Sequence, residues 1–490
     1  MMHAASPMSQ ELDRSRPENT TGEQQSGSAD SGGVWVNDAQ SLLNRTRVQR
    51  VDRPRSVDEL VQCVRMAART GRVISVSGGR HALGGQQFAQ DAIHLDLTGL
   101  DRVVELDAER GQVTVEAGIM WPALIDQLHA RQPGRPDCWT IREKQTGVDE
   151  VTIGGSLSAN IHGRGLTHPP FVTDIEAFDL VDARGTLVHC SRRENPELFS
   201  LAIGGYGLFG VIARVTLRLV RRFKVCRRVV IQPVRGLLPL IEDRTGSGFL
   251  FGDCQYSIDL TCQAEEHPGV SACYEPVAIE TPLTPEAVEL SREDWARLYR
   301  LIRVDKPRAF EEYADHYQRT DGQVYWSDTH QLAGNFAGHR AAVQASQGTE
   351  MITEAYVRRD DLIDFLARVR QDFLRESADV SYGTIRFIER DEETFLPWAR
   401  DRYACVICNL HVRHSPEGRA EAAGHFRRIL DTVVEFGGSF YLTYHRWATR
   451  DHVAACHPHI GDFLRLKRAY DPAGLFQSEW YRHYAPQFGE

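Results

Sequence analysis

Three glycine clusters stand out as groups able to do chemistry: Ser77-Gly78-Gly79-Arg80-His81-Ala82-Leu83-Gly84-Gly85, the stretch from Val151 to Gly165, and Gly204-Gly205-Tyr206-Gly207. Glycine lets main-chain N–H groups approach a ligand closely and take up positive φ. Successive N–H groups form a concavity suited to a pyrophosphate. One such cluster reads more simply as a tight turn. Three between residues 77 and 210, one of them carrying a histidine, point to a shared phosphate-bearing ligand. Gly205-Tyr206-Gly207-Leu208-Phe209-Gly210 matches the GxGxxG spelling, but a dinucleotide fingerprint follows a strand and opens a helix. Here a helical pattern from Pro196 to Ala202 precedes it, an alternating strand follows, and the acidic residue expected about twenty positions on is replaced by the basic run Arg214 to Arg228. A Rossmann fold, and with it a simple NAD dehydrogenase, is set aside.

The elements that must hold these clusters are legible around them. Ser56 with Glu59 spells a capping box ahead of Leu60, Val61, Val64 and Ala67, which recur at helical spacing. Val73–Val76 reads as a strand feeding the first cluster. Ala177–Val181 and Thr186–Val188 flank a hairpin turn at 182–185, and Val215, Leu217 and Leu219 alternate as another strand. Past Arg221-Arg222 the glycine clusters give way to amphipathic helices, with apolar stripes at Leu362, Phe365, Val369 and Phe373 and at Phe426, Ile429, Leu430 and Val433. Candidate strands there are 384–388, 403–412 and 439–444. This is α+β patterning.

Composition bounds the function. The chain has 490 residues, with 57 Lys+Arg against 67 Asp+Glu and a net charge of -10, which argues against a nucleic-acid partner. No apolar run is long enough to span a membrane, and residues 1–33 are polar enough to be expected as a disordered tail. The ten cysteines show no framework; the one CxxC, Cys405 to Cys408, sits in a buried-strand pattern without a second pair, so no metal is expected. A reduced, cytoplasmic protein is the expectation.

Read together, the motifs resemble those of the vanillyl-alcohol-oxidase or PCMH-type FAD-linked oxidoreductases, the group containing aldonolactone oxidases, alditol oxidases and cytokinin dehydrogenases. Residues 77–86 are similar to the family's pyrophosphate loop, 151–163 to its second FAD loop, 202–212 to its third, and 466–476 to the C-terminal signature where the chain returns to the flavin domain. The resemblance implies an FAD site built from Ser77, Gly78, Gly79, Arg80, His81, Ala82, Gly84, Gly85, Thr152, Gly154, Gly155, Ser158, Asn160, His162, Gly163, Gly207, Gly210, Val211 and Ile212, with His81 bonded covalently to the flavin. A second, cysteinyl link is not expected, because Gly147-Val148-Asp149-Glu150 precede the second loop.

The implied architecture is α+β: a disordered tail 1–33, a two-lobed FAD-binding domain 34–222, a substrate domain 223–460 with an antiparallel sheet, and a C-terminal return 461–490. The implied reaction is hydride transfer to flavin N5 from a small alcohol, polyol or lactone, with oxygen or another species as electron acceptor. A reductase of a carbon–carbon double bond and a non-catalytic FAD-binding protein are the alternatives. At the catalytic end the chain departs from sugar-oxidising relatives. Their Glu-x-Arg becomes Thr384-Ile385-Arg386, and the lysine they place after a Gly-Gly turn falls near Tyr444 or His445. Arg386, Tyr444, His445 and Lys467 are the catalytic candidates, His445 as a base titrating near neutrality. Asn409 and His411 share one strand face and are expected to line the pocket, while 325–331 has the composition of a binding loop.

Overall fold

The computed structural model describes residues 33–262, 266–285, 287–333 and 348–489, so all of the expected tail but Gly33 lies outside the described residues. Ser56 accepts a hydrogen bond from the Glu59 amide at 3.2 Å and starts the helix Val57–Arg69. Such a cap contributes about 1 kcal/mol. The Glu59 carboxylate returns to the Arg55 amide rather than to Ser56, so the reciprocal half of the expected box is shifted by one residue. Leu60, Val64 and Ala67 bury the inner helix face against Ile74, Ile93 and Leu95. Full burial of each large side chain is worth roughly 1.5–3 kcal/mol. Those residues belong to a parallel three-stranded sheet ordered Arg50–Asp52, Ile93–Asp96, Ile74–Ser77.

An antiparallel five-stranded sheet follows, ordered Leu187–Ser191, Ile175–Val181, Val211–Arg218, Gln112–Glu116, Val103–Asp107. The hairpin at 182–185 forms as its sequence indicates, with the Asp182 amide donating to the Thr186 carbonyl at 2.9 Å. The segment read as a second glycine loop contains a helix, Ile153–Ala159. Thr152 caps it, and Ile153 and Leu157 are fully buried, which offsets the low helix propensity of Gly154 and Gly155.

From Lys224 onward one antiparallel sheet of eight strands takes over, ordered Val324–Trp326, Lys224–Pro233, Pro268–Val277, Phe251–Tyr256, Val380–Ile388, Tyr403–Arg413, Gly348–Arg358, Ser439–Phe440. Helices Leu362–Arg375 and Pro416–Glu435 pack on one face. Helices Arg292–Val304 and Lys306–Gln318 meet the other through Leu298 and Tyr313 against Val229 and Val270. The strand expected over 439–444 stops at Phe440. Beyond it the Thr443 carbonyl accepts from the Leu83 amide at 3.0 Å, and the Leu442 carbonyl accepts from the Gln86 side chain. The chain end then rejoins the first sheet: Ile74 donates to Leu475 O at 2.7 Å and its carbonyl accepts from Gln477 N at 2.8 Å. No helix among the described residues is long and apolar enough to cross a membrane.

Candidate active site

A cavity of about 640 Å³ lies between the glycine clusters and the inner face of the eight-stranded sheet. Its first wall is the turn after Ile74–Ser77. Under this turn His94 is fully buried, and its two ring nitrogens bond Ser75 Oγ at 3.0 Å and Ser77 Oγ at 2.9 Å; burial lowers its pKa to about 4. A Cβ on Gly78 would stand 2.1 Å from Thr152 Oγ1, and one on Gly79 1.8 Å from the Glu150 carbonyl oxygen. The turn therefore runs closer to the 150–152 segment than any side chain permits. The amides of Gly79, Arg80 and Ala82 make no hydrogen bond to another described residue, and all three residues border the cavity. Gly154, Gly155, Ser158, Gly207 and Gly210 face it from the second and third clusters. A strip of unspent main-chain donors with no room for side chains fits the diphosphate of FAD.

The second wall comes from the large sheet. Glu354, Ile407 and Thr384 pair across three adjacent strands, as do Tyr356, Cys405 and Arg386. Paired residues share a sheet face, so Glu354 stands two strands from Thr384 on the same surface. Glu354 Oε1 accepts from Tyr444 OH at 2.6 Å; Oε2 accepts from Tyr356 OH at 2.5 Å and bonds His162 Nε2 at 3.1 Å. Burial alone raises the pKa of this carboxyl, but His162 and the hydrogen bonds from Tyr356 and Tyr444 outweigh it and hold the group below the usual glutamate range. Tyr444 moves the other way: burial, then the Glu354 charge, push its phenol well above its ordinary value. Arg386 is held by Thr146 Oγ1 at 2.8 Å and the Gly163 carbonyl at 3.4 Å. Cys405 lies beside His162 and Glu354, the one group of this kind close enough to hold a metal among the described residues, but both carboxylate oxygens are already engaged.

Residues 48–191 match a family model described as an FAD binding domain. An L-gulono-1,4-lactone dehydrogenase of Mycobacterium tuberculosis is 32% identical over 439 residues, covering 88% of this chain and 94% of that protein. The chain belongs to the PCMH-type FAD-linked oxidoreductases. Bovine L-gulonolactone oxidase is 33% identical over 171 residues, 35% of this chain, and the match spans only 37% of that enzyme. Cytokinin dehydrogenase 3 of Oryza sativa subsp. japonica is 31% identical over 172 residues, 34% of this chain and 31% of its own.

Against that family pattern the structure sorts the sequence candidates. Ser77, Gly78, Gly79, Arg80, His81, Ala82, Thr152, Gly154, Gly155, Ser158, His162, Gly207, Gly210, Ile212, Arg386 and Tyr444 border the cavity, as do Asn409 and His411. Seven candidates do not. Gly84 and Gly85 instead let the chain pass the 442–446 segment: a Cβ on Gly84 would stand 2.2 Å from the Tyr444 carbonyl oxygen. Asn160 takes αL geometry (φ +46) and clamps Asp391 and the Val172 amide, each at 2.9 Å. Gly163 makes room for Glu143 and the Lys144 carbonyl. Val211 packs in the core with Val181 and Leu475.

His445 is buried between Phe426 and Trp447, with ring centroids 3.7 and 4.2 Å away, and burial drops its pKa to about 3. It is a packed aromatic, not a base. Lys467 is buried in an ion pair with Asp471, whose carboxylate also caps the Leu475 and Phe476 amides at 2.9 and 2.8 Å; it secures the C-terminal turn. Within 325–331, Asp328 binds Arg222 at 2.9 Å, His129 at 2.9 Å and Thr140 at 2.8 Å, a structural hub, and His330 and Gln331 border the cavity. Glu354 was missed by sequence reasoning. The signal available was the alternation Glu350, Ile352, Glu354, Tyr356 in a segment not read as a strand.

Proposed function

We propose that this chain oxidises the CH–OH group of a small polyol or lactone. FAD, when bound in the glycine cradle, supplies the two-electron acceptor for the hydride. The observation that carries the reading is that Tyr444, Glu354 and Arg386 border the same cavity as the cradle. Tyr444 accepts the proton of the substrate hydroxyl while its own proton passes 2.6 Å to Glu354 Oε1. Arg386, held by Thr146, supplies positive charge where negative charge develops. The long relative is a lactone dehydrogenase, which favours oxidation over reduction. Anaerobic mixing of the flavin-loaded protein with aldonolactones and polyols is expected to bleach the visible flavin bands. Bleaching by NADPH alone, with reoxidation by an enone, would replace this reading with that of a double-bond reductase.

The same reading places a covalent bond between His81 and FAD. His81 is the one histidine of the Ser77–Ala82 turn and borders the cavity beside the cradle. Intact denatured protein is expected to carry the mass of one FAD, and His81→Ala to lose it. An apoprotein mass for the wild type ends the linkage claim and leaves bound FAD intact.

A further inference from the structure

Away from the cradle, the charges facing the cavity do not balance. Arg164, Arg227, Arg303, Lys306 and Arg386 line it against the carboxylates Asp253, Glu350 and Glu354, with Asp379 a fourth carboxylate beside Arg303 and Lys306 at 2.7 and 3.8 Å. Among the described residues Asp253, 3.8 Å from Arg164 Nη1, is the one carboxylate in an ion pair with Arg164, Arg227 or Arg386. Arg227 makes no ion pair among the described residues; its Nε donates to Tyr274 OH at 3.0 Å. Both Arg164 and Arg227 lie over the Tyr274 ring, with Cζ 4.4 and 5.4 Å from its centroid. His330 packs against the same ring at 4.8 Å and is 8% exposed. Even with Arg386 assigned to the reacting centre, two guanidinium groups share one carboxylate in a partly buried site. Such a site is completed by an anion, and a pair of guanidinium forks matches carboxylate or phosphate oxygens in particular.

We infer that the substrate carries an oxyanion, a carboxylate or a phosphate, seated between Arg164 and Arg227 beside Tyr274. The strand of Arg227 lies three strands from that of Arg386, roughly 14 Å at the usual strand spacing. The oxyanion therefore sits at the end of the substrate remote from the oxidised carbon, as in a sugar acid or a polyol phosphate. This rests on the proposed oxidation only for the identity of the other end; the anion site stands or falls by binding.

The test is calorimetric titration of the flavin-loaded protein with an alditol, the aldonate of the same chain length, and the alditol phosphate. At least one anion is expected to bind about tenfold or more tightly than the neutral alditol, and to weaken with added salt. The stronger of the two identifies the oxyanion. Arg227→Gln is expected to abolish the preference. Asp253→Asn is expected to increase it, a gain that misfolding cannot imitate. Equal binding of all three ligands, or an unchanged preference in Arg227→Gln, overturns the inference, and the oxidation reading survives if neutral alcohols bleach the flavin. Tight anion binding without bleaching by any donor sinks the oxidation reading and keeps the anion site.

Discussion

Glu354→Gln is expected to slow flavin reduction by alcohol by about 10²–10⁴-fold, the usual worth of a positioned acid–base group, with flavin content retained and some loss of stability. The carboxylate is engaged by three atoms in a small space: Tyr444 OH at 2.6 Å on one oxygen, Tyr356 OH at 2.5 Å and His162 Nε2 at 3.1 Å on the other. A glutamine of the same shape presents an NH₂ to one of these donors, so either the Tyr444 proton has no acceptor or the His162 side loses its counter-charge. Tyr444→Phe should cost a similar factor. Because tyrosine and carboxylate act as one relay, the double variant should be no slower than the worse single one. Stopped-flow reduction under anaerobic conditions measures all three.

The pH profile carries its own sign. Because the folded pKa of Glu354 is depressed, its charge and the stability it confers are fully present above the ordinary glutamate value of about 4.3. Both are lost only as pH falls through the lower folded value. No acid limb from this group is therefore expected in the neutral range. A Glu354→Gln protein with the wild-type rate would remove Glu354 from the mechanism.

The cradle was readable in the sequence because its constraint is local and negative. Wherever a neighbouring atom lies within about two ångströms of where a Cβ would stand, as Thr152 Oγ1 does at Gly78 and the Glu150 carbonyl oxygen at Gly79, only glycine survives, and the run is visible in one dimension. The place of Glu354 was not readable, because its position is a cross-strand fact. Thr384 is where a relative's glutamate would be, and Glu354 reaches the same surface only through the register Thr384–Ile407–Glu354. That pairing depends on three strands meeting, and no periodicity within any one of them announces it. The misreading of His445 has a related cause. Alternation predicts side-chain direction only while the chain remains in a sheet. After Phe440 the main chain bonds the 83–86 turn instead, so parity no longer says which way residue 445 points. What places Tyr444 at the cavity is the same turn, through Gly84, whose missing Cβ admits the Tyr444 carbonyl. The resemblance implies a cofactor contact at Gly84; the structure sets it against the Tyr444 carbonyl instead.

Gly79→Ala is expected to abolish tight flavin binding. The added Cβ would stand 1.8 Å from the Glu150 carbonyl oxygen and 3.0 Å from its carbon. Both are main-chain atoms, so no rotamer change relieves the overlap and one of the two segments must move. Such overpacking costs about 1–3 kcal/mol or more, and the segment that yields carries the amides of Gly79, Arg80 and Ala82 that the diphosphate needs. The control is Gly461→Ala, in the helix Ile460–Tyr470, where a Cβ meets nothing within 4 Å. There a helical alanine should be neutral or stabilise by about 0.5–1 kcal/mol. The ratio of visible flavin absorbance to protein, read on denatured and on native samples, together with Tm, separates the two. Gly461→Ala should stay yellow with an unchanged or higher Tm, whereas Gly79→Ala should be colourless or yield its flavin to gel filtration. If Gly79→Ala retains one flavin per chain through gel filtration, the close approach at Glu150 is not what shapes the site, and the diphosphate must be gripped elsewhere.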